Sequence, residues 1–179
     1  MAQQYPWYEV TDDRIVLQGD LLQGCPILDP SVEMLGGGEG LSEQFYTPLR
    51  TYNVVIMSQS CDLIAGKIEL VLLCPYSFLE KMTEENPELR EPKLREKIRR
   101  GEVFGYHMLN KCDDDAFHDD FLVVDFRSVF SLPLAFLKDF VSRSPKRLRL
   151  LPPYREHLSQ AFARFFMRVG LPTEISRFA

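Results

Sequence analysis

The sequence predicts an α+β protein in which a small antiparallel β-barrel or curled sheet carries a charged helical insertion and a packed C-terminal helix. Three observations predict this fold class. Short apolar segments bounded by Gly and Pro recur through residues 14–77 and 102–151, which is typical of strands. Residues 78–100 are rich in charged helix formers. After Pro152-Pro153, apolar residues recur at helical spacing. This order predicts a sheet with helices packed on one side.

Composition and charge describe one folded domain spanning residues 1–179. The chain is 45% hydrophobic and 12% aromatic, which is enough to build a core. Its net charge of -5 gives no overall attraction to nucleic acid, although a local basic face remains open. It has no apolar run of bilayer length and no secretory signal at its start, so we expect a cytoplasmic protein without membrane contact.

The four cysteines are widely spaced and form no CxxC pair. In a reducing compartment this spacing indicates free thiols rather than disulfides. The cysteines are Cys25, Cys61, Cys74 and Cys112.

Each strand of the first region is predicted from one segment. Residues 14–22 form a strand with a bend or bulge at Gly19-Asp20. Residues 45–58 supply a strand pair or one bent strand, and residues 66–77 supply the next strand. The Gly-rich segment 33–44 between them lacks the pattern of a phosphate-binding loop.

Helices are predicted where prolines and charged residues punctuate the chain. The insertion contains a short helix, a Pro-bounded turn and a second helix over residues 92–100. Strands follow at 102–109 and 121–129, and a helix then begins with Ser131 as its N-cap and Pro133 in its first turn.

The C-terminal helix is predicted over residues 152–169, with Gly170 ending it. Arg164 points away from its apolar face, and Phe166 and Met167 lie off that face, where a protein partner can cover them. The apolar face contains Tyr154, Leu158, Ala161, Phe162, Phe165 and Val169.

Three segments, in the order "QGDLLQGCPI", "VVIMS" and "ELVLLCPYS", resemble the PemK/MazF-like family of ribonuclease toxins. More loosely, "VVDFRSVFSLP" is similar to a later strand of that family that enters a helix. The resemblance covers about a third of the chain and implies an SH3-like barrel that contacts RNA.

The residues that carry catalysis in this family are not matched. Family nucleases have an arginine before the proline that opens the second strand, whereas Tyr52-Asn53 occupies that place and Arg50 lies earlier. Ser77 is the nearest match to a family threonine. RNA cleavage needs a cation beside the phosphate and a group that takes the 2′-hydroxyl proton. The resemblance therefore implies a non-catalytic binding module, with a diverged endoribonuclease as the alternative.

The stretch Ser58–Asp62, "SQSCD", is the first candidate site, and it is similar to a turn in small bacterial proteins of no known activity. In a functional interpretation, Cys61 reacts or binds metal, Asp62 orients a base or binds metal, and Gln59 donates a hydrogen bond beside Ser58 and Ser60. In a structural interpretation, Asp62 accepts backbone N–H groups and Cys61 packs as a small apolar residue. A Cys61-dependent hydrolase and a redox or metal sensor remain alternatives.

Two sets of residues offer metal ligands. Cys61, His107, Cys112 and His118 could hold zinc, but their spacing is looser than that of zinc sites, and we expect no cofactor. The loop containing Asp113, Asp115 and Asp119 lacks the EF-hand pattern and is interpreted as a solvated acidic loop.

Basic residues offer a nucleic-acid surface if several share one face. Arg147 and Arg149 alternate with leucines, which places both on one side of a strand, and together with Arg50 they are the candidate phosphate contacts. Arg95 and Arg99 share a helix face with Glu91, which favours ion pairs on a solvated helix. The expected partner is RNA or a protein.

Overall fold

The structure is a computed structural model that describes residues 5–28, 49–112, 117, 119–143 and 146–167. These residues form eight strands, five α-helices and one 3-10 turn at Pro87–Arg90. The strands are β1 (Tyr8–Thr11), β2 (Asp20–Leu28), β3 (Leu49–Ile56), β4 (Leu70–Phe78), β5 (Tyr106–Leu109), β6 (Leu122–Asp125), β7 (Phe130–Pro133) and β8 (Arg147–Leu150). The helices are α1 (Ser60–Ala65), α2 (Leu79–Glu85), α3 (Pro92–Arg99), α4 (Leu134–Arg143) and α5 (Tyr154–Phe166).

The strands form an antiparallel sheet in the order β1-β8-β2-β3-β4-β6-β5, with β7 paired to β4. Within the described residues, β1 and β5 each pair with one strand, so the sheet is open. The predicted mixture of helices with an antiparallel sheet is confirmed, while closure into a barrel stays a prediction. None of the helices described is both long and apolar enough to cross a membrane.

Helices cover both faces of the central strands. Val54 and Ile56 of β3 pack in one core cluster with Leu137 of α4. Val55, whose side chain points the other way, packs in a second cluster with Leu158 of α5. Burial on both faces explains why the end of β3, Val54–Ile56, is continuously apolar, as strand segments covered on both sides are. The prediction that the helices lie on one side is therefore wrong.

The helical insertion covers the outer strands β5 and β6. Met82 of α2, Leu89 of the 3-10 turn and Ile98 of α3 are buried in a third cluster with Val123 of β6. A short helix, a Pro-bounded turn and a second helix lie where the sequence predicts them. Pro87 and Pro92 each stand at the start of a helical segment, which proline tolerates because no backbone N–H is needed there.

The predicted first strand begins later than expected. β2 starts at Asp20, and its register shift lies between Leu22 and Cys25 rather than at Gly19-Asp20. Gly19 has a φ of 84°, and the Leu17 N–H donates to the Asp20 carboxylate at 3.0 Å. These features make the segment before Asp20 a turn instead of a strand.

Other element boundaries also differ from the prediction. Phe130–Pro133 forms β7, paired with β4, so the helix begins at Leu134 and Ser131 is not its N-cap. Alternate burial of Phe130 and Leu132 favours a strand there over the local capping signal. The strands predicted to begin at residues 66, 102 and 121 begin later, as β4, β5 and β6. The sequence did not predict β1. Val169 and Gly170 lie outside the described residues.

Candidate functional site

The stretch Ser58–Asp62 contains the turn after β3 and the first three residues of α1. The Leu72 N–H donates to Ser58 Oγ at 2.9 Å, and the Gln18 N–H donates to Ser60 Oγ at 3.1 Å. The buried Gln18 amide also donates to the Met57 carbonyl and to Ser159 Oγ of α5, both at 2.8 Å. The serine hydroxyls therefore fix this turn against its neighbours.

Cys61 is exposed at the start of α1, with its Sγ 3.8 Å from Asp62 Oδ1. The interpretation of Cys61 as a packed apolar residue is wrong because its side chain faces solvent. Within the described part of the chain, its thiol has no hydrogen bond to a basic group that would favour a thiolate. The geometry around Cys61 and Asp62 therefore does not indicate a reaction or a ligand for these two residues.

The other expected catalytic and phosphate-binding residues lie elsewhere. Ser77 pairs with Val123 on β6 and is five positions along β4 from Leu72, or about 17 Å at the rise of a strand. Arg50 stands at the opposite end of β3 from the Ser58–Asp62 turn, six positions or about 20 Å from Ile56. The structure does not bring these residues together.

The zinc candidates are also dispersed. Cys112 is buried in the core. The pKa of the Tyr8 hydroxyl is raised, mainly by the burial of Tyr8 and also by the nearby Cys112. His118, Asp113 and Asp115 lie outside the described residues. Across the residues that the structure describes, no three His, Cys, Asp or Glu side chains form a group suited to a metal.

Arg147 and Arg149 lie on one side of β8, as their alternation predicts, but both are buried. The fully buried Asp20 binds both guanidinium groups, with distances of 2.9 Å to Arg147 Nε and 2.5 Å to Arg149 Nε. Asp13 binds both as well, at 2.7 and 2.9 Å, and the Ile15 carbonyl accepts a hydrogen bond from each. We call these four charged residues the arginine cluster.

The electrostatics of the arginine cluster are those of a satisfied ion-pair network. The hydrogen bond from Arg149, followed by that from Arg147, holds the pKa of Asp13 well below its usual range, although burial opposes it. Burial lowers the pKa of Arg149, but its bonds to Asp20 and Asp13 outweigh burial and raise it. The prediction of a basic surface at Arg147 and Arg149 is therefore wrong, because aspartates neutralise both charges inside the protein. The ion pairs connect β8 with β2 and with the segment before Asp20.

A different group of basic residues surrounds a cleft of about 170 Å³ between α3, β5 and α5. Ile98 is buried beneath α3, so the two arginines that follow it face outward. Leu158 is buried beneath α5, and Phe162 of α5 meets Phe126 edge-on at 5.5 Å. The packing of α3 and α5 on the sheet places their basic side chains around the α3–α5 cleft. The basic residues that line it are Arg99, Arg100, His107, His157 and Arg164.

The two histidines of the cleft come from different elements. His107 on β5 is half-buried, and its ring stacks on Phe126 with centroids 6.2 Å apart. Burial first, and then the charges of His157 and Arg164, lower its pKa to about 4. Neither histidine ring has a hydrogen bond to another described residue, so their ring nitrogens are available to a ligand.

The arginines give the cleft a surplus of positive charge. Arg99 and Arg100 both bind Glu96, each at 2.7 Å, and these bonds lower the pKa of Glu96 to about 2. Arg164 donates from Nε to the Gln160 carbonyl of its own helix at 3.4 Å. No described carboxylate lies within ion-pair distance of Arg164. Arg100 also lies 4.0 Å from Glu102, so the three arginines share two described carboxylates and the unpaired positive charge is that of Arg164, which suits an anionic ligand.

An exposed aromatic ring completes the cleft. Phe104 lines it and is 50% exposed, and no other described ring contacts it. Tyr106 also lines the cleft, but the Arg127 guanidinium covers its ring at 4.4 Å from the centroid. Cations beside a free aromatic face are the groups that hold phosphates and bases in sites for single-stranded nucleic acid.

The sequence contains a weak signal for this cleft that the prediction did not use. His157 and Arg164 are seven positions apart, which places them on one face of a helix. His107 has the opposite strand parity to Tyr106 and Met108. No local sequence pattern indicates that these two faces meet.

No protein-family model matches the chain, and no curated protein is significantly similar to it.

Proposed function

We propose that this protein is a non-catalytic binding module that contacts nucleic acid through the α3–α5 cleft. The observation that carries the proposal is the positive charge of Arg164, which has no described carboxylate partner, beside two histidine rings that no described residue hydrogen-bonds. Phosphate groups supply both the negative charge and the acceptor oxygens that these groups lack. The cleft takes the place of the Ser58–Asp62 turn, whose serine hydroxyls bind the backbone instead.

We also propose that the sheet is related to the SH3-like barrels of the PemK/MazF-like family. The support is the chain order, because the three resembling segments fall on β2, β3 and β4, which are consecutive antiparallel neighbours. Small β-barrels commonly bind nucleic acid on one face, which agrees with an RNA partner.

Binding is proposed in preference to catalysis because the expected catalytic groups are apart. Ser77 lies about 17 Å along β4 from the residue that contacts Ser58. The Cys61 thiol has no basic group bonded to it among the described residues, which weakens both the hydrolase and the sensor interpretations.

The test is the affinity of a labelled single-stranded RNA, measured by fluorescence anisotropy across a salt series. We expect a steep salt dependence, and we expect Arg164→Ala to weaken binding and reduce the log–log salt slope by about 1. Arg143→Ala is the matched control, because Arg143 is an exposed helical arginine on α4, paired with Asp139 at 2.7 Å. Absence of RNA binding, or equal effects of the two substitutions, would overturn the proposal.

A further inference from the structure

The dimensions of the α3–α5 cleft restrict what can enter it. Its volume of about 170 Å³ is below the range of roughly 300 to 1,000 Å³ that encloses whole small-molecule ligands. A cleft of this size suits a phosphate group with part of a sugar better than a whole nucleotide. A base attached to that phosphate therefore has the rim of the cleft available to it.

The rim offers one aromatic surface for that base. Phe104 is 50% exposed and belongs to the same lining as His107 and Arg164. Tyr106 is not equivalent, because Arg127 covers its ring and is itself held by Asp125 at 2.7 Å. A base that stacks on Phe104 keeps its neighbouring phosphate beside the cationic groups.

Base pairing decides which nucleic acids can use both features. In an RNA duplex, the base faces are stacked inside the helix, so a protein meets phosphates, 2′-hydroxyls and base edges but no free stacking face. In a single strand, a base is free to leave its neighbours and stack on an aromatic ring. A site with cations alone would not distinguish the two, whereas the Phe104 ring gives a reason to prefer one.

Resting on the proposed function, we infer that the ligand is single-stranded nucleic acid, with one phosphate held in the α3–α5 cleft and the adjacent base stacked on Phe104. Arg164, His107 and His157 contact the phosphate oxygens. Phe104 adds affinity for any base, because every base has a stacking face. The site therefore selects strandedness rather than sequence.

The experiment compares a single-stranded RNA, its duplex form and an abasic ribose-phosphate strand of the same length. We expect Phe104→Ala to weaken single-strand binding by about 5- to 100-fold while leaving duplex and abasic binding unchanged. Arg164→Ala is expected to weaken binding of all three ligands. Phe136→Ala is the matched control, because Phe136 is a similarly accessible phenylalanine on α4.

A gain-of-signal variant provides an independent readout. The chain has one tryptophan, so Phe104→Trp adds a second indole whose fluorescence is obtained by difference from the parent protein. Stacking predicts quenching by the single strand and none by the abasic strand. Two results would overturn the stacking inference alone. In the first, Arg164→Ala weakens binding but Phe104→Ala changes single-strand affinity no more than Phe136→Ala does. In the second, the duplex binds as tightly as the single strand. Loss of the Arg164→Ala effect overturns the proposed function as well.

Discussion

The arginine cluster and the α3–α5 cleft are both rich in arginine, yet they differ in the carboxylates that surround those arginines. Arg147 and Arg149 are buried and share two aspartates that approach from β2 and from the segment before it. Arg164 is exposed, and no described carboxylate pairs with it. The supply of carboxylates, rather than the number of arginines, therefore separates the structural site from the proposed binding site.

Removing the carboxylate at the centre of the arginine cluster tests the structural half of this comparison and has the largest expected effect. Asp20→Asn leaves two buried guanidinium groups short of negative charge, so the free energy of unfolding should fall by about 3 to 5 kcal/mol. Denaturant unfolding measures the change. Asp12→Asn, at an exposed aspartate close in sequence, should change it by less than about 0.5 kcal/mol. Equal losses in the two variants would show that the cluster does not stabilise the fold.

Acidification tests the cleft half, because His107 is half-buried and lies beside the positive charges of the cleft. Its folded pKa of about 4 lies below the usual value near 6.5, so the unfolded chain binds more protons between these values. Stability must then fall as the pH falls through that window. Between pH 6.5 and pH 5, the wild type should lose about 1.5 kcal/mol more than His107→Gln. Parallel pH profiles of unfolding would contradict the electrostatic description of the cleft.

Giving Arg164 a carboxylate should make the cleft resemble the arginine cluster. Gln160→Glu places an acidic group one helical turn before Arg164, an arrangement that stabilises a helix by about 0.3 kcal/mol. The new ion pair competes with phosphate, so RNA affinity should fall several-fold at low salt. Glu84→Gln, an exposed charge change on α2, is the comparison variant. Unchanged RNA affinity would argue that Arg164 does not contact phosphate.

The sequence predicted elements whose signals are local. Prolines and charge patterns located α2, the 3-10 turn and α3, and apolar periodicity located α5. The start of β2 was missed because Asp20 is held by Arg147 and Arg149, which lie 127 and 129 positions away. The N-cap signal at Ser131 was overridden by pairing with β4 in the same way.

The candidate sites show the same limit. Ser58 and Ser60 have no visible role in the sequence until Leu72 and Gln18 donate hydrogen bonds to them. Alternation placed the two arginines of β8 on one side, but could not reveal that aspartates bury that side. The cleft joins residues 99–107 to residues 157–164, and no spacing rule connects segments so far apart.

The central claim is that phosphate enters the α3–α5 cleft, and the histidine rings report this most directly. The chain has three histidines, so its imidazole signals in nitrogen-detected NMR spectra are few and can be assigned with His107→Gln and His157→Gln. When single-stranded RNA is titrated in, the signals of His107 and His157 should shift together and saturate at the concentration at which anisotropy saturates. RNA that binds while both imidazole signals stay in place would contradict the claim.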